Sequence, residues 1–346
     1  MVKVATIGLT GCAGCHVAIL ALGEKIIEAA GKLDLEHSYI LVDTKDIPED
    51  IDVILVEGGL RSSRDMEVLK AARERSRAVV AVGSCSCFGG TPSLANTFRI
   101  QKLVETVYGG EFKPNEAMIP SLSEYVKPVK ELVKVDFEVP GCPPEPRNLQ
   151  ELLENLLAGK IAEAPKHNVC KECVRKRDKP TILVDYCIAC GNCEEICPED
   201  AVKLKSTRHA AEIDVEKCIG CSMCVIECPA RAIIMPQTSG SLRIGVDTID
   251  SEKCLFEQGL PCMGPATLGG CGAPCPASGS TCDGCRGSYR RGMDQGLAMI
   301  DVKSSSLKLT IPEVGGTYDL QTLTSLYYRY TLSRSVLQAI LEASRK

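Results

Sequence analysis

The chain has 346 residues, 21 cysteines and no tryptophan, with a net charge of -5 and a pI near 5.6. That balance implies no broad basic surface for nucleic acid, and no uninterrupted apolar run approaches the roughly 20 residues that span a bilayer, so direct membrane insertion is not expected. The length allows two or three domains.

The cysteines dominate the reading. The sequence opens directly on MVKVATIGL, without a basic n-region, an apolar h-region or a small-residue cleavage site. This predicts a reducing cytoplasm, where structural disulfides are rare and clustered cysteines bind metal. Twenty of the 21 cysteines sort into five sets of four, the number a cubane iron-sulfur cluster needs. Zinc is the rival metal, because paired Cys-x-x-Cys units also make sites with four thiolates.

Along the chain, residues 1–165 alternate between strand-like and helix-like segments. Apolar runs at 4–9, 39–42, 53–56, 78–82 and 135–139 predict strands, and 18–30, 65–75 and 149–157 predict helices among them. The pattern is that of a doubly wound, mostly parallel α/β sheet of flavodoxin-like type. Cys12 and Cys15 fall in the loop after the first strand, Cys85 and Cys87 in GSCSCFGG after the fourth, and Cys142 in PGCPP after the fifth. Open α/β sheets bind ligands beyond the carboxyl ends of their strands, so these cysteines are expected to converge on one edge. Gly11, Gly14, Gly89, Gly90 and Gly141 would let backbone approach a cluster and turn N-H groups to its sulfurs. A thioredoxin-like dithiol would explain Cys12 and Cys15 alone, but needs no cysteines at other strand ends. Of the pair in GSCSCFGG, Cys85 comes first after the strand and is chosen as ligand, leaving Cys87 as a buried small hydrophobe and non-ligand.

The middle of the chain is the most specific. CIACGNCEEICP at 187–198 and CIGCSMCVIECP at 218–229 both follow the run of bacterial two-cluster ferredoxins, in which the fourth cysteine of each run ligates the other cluster. Cys187, Cys190, Cys193 and Cys228 would hold one cluster, and Cys218, Cys221, Cys224 and Cys197 the other. TILVDYC resembles AEIDVEKC and PEDAVKL resembles PARAIIM, so the repeat has two similar halves. Zinc motifs lack the third close cysteine and the terminal Pro. Eight more cysteines flank this module: Cys170 and Cys173 in VCKECVRKR, then Cys254, Cys262, Cys271, Cys275, Cys282 and Cys285 in CLFEQGLPCMGPATLGGCGAPCPASGSTCDGCRG. Spacing alone does not divide these eight into sets, and two zinc sites are the alternative there. The little regular structure expected around them suits a region ordered by its metal.

The combination of GCAGC, GSCSCFGG, PGCPP and CLFEQGLPCMGPATLGGC closely resembles the small subunit of nickel-iron hydrogenases, particularly the cytoplasmic methyl-viologen-reducing type that feeds heterodisulfide reductase in methanogens. The resemblance covers nearly the whole chain outside about 178–240. It implies that Cys12, Cys15, Cys85 and Cys142 hold a proximal 4Fe-4S cluster facing the nickel-iron (NiFe) centre of a partner large subunit. It likewise implies a distal cluster on Cys170, Cys173, Cys254 and Cys262, and a medial one on Cys271, Cys275, Cys282 and Cys285. With the ferredoxin pair this makes five 4Fe-4S clusters, and no catalytic residue in this chain, because dihydrogen is split in the partner.

Departures from exported members of the family are informative. They carry a His where this chain has Cys170, a Pro and a three-iron medial cluster where it has Cys275, and a twin-arginine leader. An all-thiolate set is more negative and lowers the cluster potential, so a low-potential, all-cubane chain is expected. Gly11 stands where many relatives have a Glu, which casts doubt on a proton route through that acid. His16 is read as a packing or hydrogen-bonding residue, with a proton relay as the alternative.

The ferredoxin module, 178–240, interrupts the implied distal set, so its two ends should lie together beside that set. The expected organisation is 1–165 with the proximal cluster, 166–177 and 241–300 with the medial and distal clusters, and 301–346 as a tail. In that tail, Leu326, Tyr330 and Leu337 are spaced as one helical stripe over 320–344. The implied function is electron transfer between the NiFe site and an external acceptor: a heterodisulfide reductase-type subunit, a flavin bifurcating or diaphorase module, or a ferredoxin. Two other classes are a stand-alone polyferredoxin-like carrier and the cluster-bearing subunit of a quinone oxidoreductase. No nucleotide fingerprint is visible.

Overall fold

The structure is a computed structural model that describes residues 1–44, 46–109, 118–160, 164–206, 209–236, 249–307 and 319–345. Five strands, β1 (Val2–Gly8), β2 (Leu33–Ser38), β3 (Ile51–Glu57), β4 (Ser76–Val82) and β5 (Phe137–Val139), form one parallel sheet in the order β2-β1-β3-β4-β5. This is the flavodoxin-like doubly wound order. Runs such as VKVATIG and IDVILVE are apolar almost throughout because helices cover both faces. On one face Ala5, Ile7, Ile54, Val56 and Ala81 pack against Leu69 and Val129; on the other Val4, Val53, Leu55 and Val80 pack against Ala18, Leu22, Leu149 and Leu152. Each such aliphatic side chain contributes on the order of 1.5–3 kcal/mol.

Three expected elements are corrected. The second strand is Leu33–Ser38, and 39–42 forms a turn with Tyr39 and Ile40 exposed. The buried Ser38 hydroxyl accepts from Thr6 Oγ1 at 2.8 Å and from the Ile40 and Leu41 N-H groups, which curls the chain away from the sheet. The helix expected at 18–30 is two, α1 (Gly14–Leu20) and α2 (Glu24–Ala30), separated at Gly23, whose φ is +57°. The single helix expected over 320–344 is a helix Leu320–Tyr327, a 3-10 turn Leu332–Arg334 and a helix Val336–Ser344 capped by Ser335, whose hydroxyl accepts from Gln338 N at 3.1 Å. Leu326, Tyr330 and Leu337 therefore do not share one helix.

The chain divides into two compact units, Met1–Glu163 with Tyr328–Lys346, and Ala164–Tyr327. In the first, Asn96 ties the C-terminal segment to the α/β domain, its amide donating to Val126 O at 3.0 Å and to Gln338 Oε1 at 2.9 Å. In the second, two short antiparallel pairs, Thr181–Ile182 with Ile233–Ile234 and Val202–Lys203 with Glu212–Ile213, enclose helices Asn192–Glu195 and Met223–Glu227. This is a ferredoxin-like arrangement around a core of Val202, Ala211, Val225, Ile233 and Met235. The segments leading into and out of it run side by side: Lys176 N donates to Glu252 O, and Cys254 N to Lys176 O, both at 2.8 Å. Among the described residues the rest is irregular apart from 3-10 turns Val184–Tyr186 and Gly264–Ala266 and helices Val169–Glu172, Pro274–Ala277, Gln295–Leu307 and Leu320–Tyr327. No described helix is long and apolar enough to cross a membrane.

Candidate cluster-binding sites

The segments after β1, β4 and β5 bring Cys12, Cys15, Cys85 and Cys142 together at the carboxyl edge of the sheet, with Cys15 in the first turn of α1 and Cys85 on a short helix Gly83–Phe88 rather than on the loops expected. Ser84 N donates to Gly141 O at 2.8 Å, joining two of the segments. Gly83, at φ +87°, lies against the Cys15 sulfur, and a Cβ on Gly90 would stand 2.6 Å from the Cys85 sulfur, so neither position admits a side chain. Burial raises the Cys15 thiol well above its ordinary value, and Glu57, Cys85, Cys142 and Cys12 raise it further. Burial likewise pushes Cys85 to about 12, aided by Cys142 and Cys12. Such thiols keep their protons until a cation replaces them. Cys12 and Cys142 are exposed. Cys87 points into the hydrophobic core with Leu69 and Phe88, its sulfur 3.5 Å from Ala81 O.

In the second unit the donors surround cavities. One is lined by Cys197, Cys218, Cys221 and Cys224. A second is lined by Cys187, Cys190, Cys193 and Cys228. A third is lined by Cys170, Cys173, Cys254 and Cys262. Their remaining walls are mostly apolar, and backbone N-H groups face the sulfurs: Ala201 N to Cys197 at 3.2 Å, Ala232 N to Cys228 at 3.3 Å and Cys282 N to Cys262 at 3.3 Å. Four thiols, a shared cavity and N-H donors suit an iron-sulfur cluster. Among the described residues, no three donor side chains are grouped closely enough to hold a single metal ion.

The remaining four are less concentrated. Cys282 lies beside Cys285 and Cys262, whereas Cys271 and Cys275 stand on the loop and short helix that follow Gly270. Arg175 Nε donates to Pro276 O at 2.9 Å and its Nη1 to Ser251 O at 2.8 Å, which fastens this loop to the wall of the third cavity.

The third cavity adjoins the first. Cys170 and Cys221 belong to one buried cluster with Met223, Leu268 and Tyr289. Asn168 Nδ2 bridges the carbonyls of Cys221 and Pro265 at 2.8 and 2.7 Å, and Arg177, lining the third cavity, donates to Ile219 O at 2.9 Å.

Comparison with known proteins gives this geometry its context. Over 90% of its length the chain is 34% identical to the G subunit of the vhu F420-non-reducing hydrogenase of Methanocaldococcus jannaschii, covering 91% of that protein. The chain belongs to the family of F420-non-reducing hydrogenase G subunits. The Methanococcus voltae member is 32% identical over 97% of each chain. Residues 12–156 match the family described as NADH ubiquinone oxidoreductase, 20 Kd subunit, and 186–232 match the 4Fe-4S dicluster domain. The delta subunit of the NAD-reducing hydrogenase HoxS of Cupriavidus necator is 34% identical over 47% of this chain and 82% of that one. The protein is accordingly an electron-carrying, iron-sulfur component of a hydrogenase, an oxidoreductase complex.

Three residues beside the donor sets of this hydrogenase chain were not anticipated from its sequence. Glu57, at the end of β3, accepts from His16 N at 3.0 Å and pairs with His16 Nδ1, while His16 Nε2 lies 3.0 Å from Thr6 Oγ1. A Cβ on Gly11 would lie 3.8 Å from Glu57 Oε1, so the acid at the end of β3 stands beside this position. Tyr330 hydrogen-bonds the Cys142 thiol. Glu172 accepts from the N-H groups on either side of Cys271, those of Gly270 and Gly272. Only the spacing of Glu172 between Cys170 and Cys173 hinted at a role.

Proposed function

We propose that this chain is the small subunit of a cytoplasmic nickel-iron hydrogenase and holds five 4Fe-4S clusters that link a NiFe centre in a large subunit to an external acceptor. When bound, such clusters supply one-electron, outer-sphere transfer without proton or bond rearrangement. The observation that carries the reading is that three cavities are each lined by four cysteines, two grouped as the ferredoxin spacing groups them and the third as the hydrogenase resemblance implies.

The chain's own residues supply ligands, orientation and exclusion of water. Cys12, Cys15, Cys85 and Cys142 would hold the proximal cluster. Cys170, Cys173, Cys254 and Cys262 would hold the distal one, and Cys271, Cys275, Cys282 and Cys285 the medial one. The two ferredoxin sets would hold the remaining pair. The backbone N-H groups of Ala201, Ala232 and Cys282, donating to the sulfurs of Cys197, Cys228 and Cys262, fix sulfur positions. The packed cluster containing Cys170 and Cys221 supports direct coupling of the distal set to the ferredoxin module. Exposure of Cys12 and Cys142 suits a proximal set that a large subunit covers, and exposure of Cys190 suits an exit toward the acceptor. A heterodisulfide reductase-type subunit, a flavin module and a ferredoxin all suit this exit.

Anaerobic isolation of the complex from its native cell, with iron, nickel and dihydrogen-dependent dye reduction measured on one sample, tests the reading. Roughly 20 cluster irons per copy, with nickel and activity, are expected. Full iron in an intact complex without nickel or dihydrogen activity would turn the reading toward the quinone oxidoreductase relatives matched by 12–156.

A further inference from the structure

Lys303, on the helix Gln295–Leu307, is 1% exposed. Its ammonium donates to Phe256 O at 3.4 Å and stands 4.5 Å from the centroid of the Phe256 ring. Phe256 in turn lines the cavity shared by Cys170, Cys173, Cys254 and Cys262. Cys254 and Cys262 both favour the charged form of Lys303 against the burial that opposes it. Arg175 and Arg177 line the same cavity, and the Glu257 carboxylate accepts from Asp178 N at 2.9 Å. Burial opposes an ammonium in such a site, and this one is separated from the cysteine-lined cavity by the Phe256 side chain.

We propose that Lys303 sets the reduction potential of the distal cluster, an inference that rests on the ligand assignment above. Reduction adds one electron to that cluster, makes and breaks no bond and moves no proton; the electron comes from, and returns to, the hydrogenase's own electron flow. The added negative charge is stabilised by a cation fixed in a poorly screened interior. Lys303 thus offsets the lowering that an all-thiolate ligand set imposes.

The test is a reductive titration of the intact complex followed by electron paramagnetic resonance. Lys303→Met is expected to move one midpoint to more negative potential by about tenfold in the one-electron equilibrium, or 59 mV, with iron content unchanged. Lys303→Arg is expected to keep the parental midpoint. Cys254→Ala assigns the signal, by abolishing it together with about four irons. Unchanged midpoints in a fully loaded Lys303→Met protein overturn the inference and leave the ligand assignment standing. An equal shift in Lys303→Arg assigns the effect to packing and also overturns it. Full iron in Cys254→Ala overturns the ligand assignment itself. Should Lys303→Met fail to assemble, Lys303→Gln carries the same expectation and the same overturning result.

Discussion

At the residue scale, the environment of each sulfur matters as much as its identity. Burial raises the Cys142 thiol, and the hydrogen bond from Tyr330 opposes that rise by favouring negative charge on sulfur. The same bond should stabilise the reduced state of a cluster held there. Tyr330→Phe is expected to lower the proximal midpoint by less than about 59 mV, the equivalent of a tenfold change, with iron content intact; potentiometry on the complex checks it. Cys85 and Cys87 show how two residues can reverse a role. Cys85 shares the sheet edge with Cys12 and Cys142, whereas Cys87 is enclosed by Leu69, Phe88 and their neighbours. His16, expected from the sequence to be a packing or hydrogen-bonding residue, meets Glu57 and Thr6, which come from two other places in the chain.

At the scale of elements, short connections hold the donor sets in place. The four-residue helix Val169–Glu172 buries Cys170 and presents Glu172 to the loop around Cys271. Burial opposes ionisation of Glu172, but hydrogen bonds from His167, Gly270 and Gly272 prevail and hold it below the ordinary carboxylate range. Glu172→Gln is expected to cost about 1.5–3 kcal/mol and to lower iron occupancy; thermal unfolding and iron analysis of the same preparation check it. Asp136 plays a comparable part beside β5. Its Oδ2 accepts from Val79 N at 2.9 Å and Arg73 Nη1 at 2.6 Å, and although burial opposes this, its pKa is lowered. The unfolded chain therefore takes up the proton first as pH falls. The stabilisation is complete above the ordinary carboxylate value and disappears as pH drops through the folded one. Asp136→Asn should cost about 1 kcal/mol at neutral pH, and the gap from the parent should close below about pH 4 in acid unfolding curves.

At the scale of the whole molecule, the ferredoxin module joins the second unit through paired backbone at Lys176 and Glu252 and through the packed cluster around Cys170 and Cys221. Cys173 and Cys254 therefore line one cavity although the module lies between them in the sequence. If Cys275 completes the medial set, oxidised protein should give no three-iron resonance, and Cys275→Pro should create one; electron paramagnetic resonance of both proteins decides it.

Much of this organisation was legible in the sequence, for definite reasons. Strands buried on both faces read as continuous apolar runs, so β1, β3 and β4 stood out, and the ferredoxin spacing is local because each run supplies three ligands to one cluster. Leu33–Ser38 was hidden by its polar residues, since Asp34, Glu36 and Ser38 break the apolar signal that 39–42 imitates. The stripe of Leu326, Tyr330 and Leu337 failed because periodicity does not register a cap such as Ser335. Sequence by itself determined the fold class, the 4Fe-4S dicluster module and the family, since these follow from patterning and from motifs that are local in the chain. Only the tertiary structure decided which neighbours each sulfur meets: Tyr330 at Cys142, Glu172 around Cys271, Lys303 behind Phe256, and Cys170 against Cys221. Those neighbours are distant in sequence and have no spacing of their own; packing around the sheet edge and the cavities is what brings them within reach.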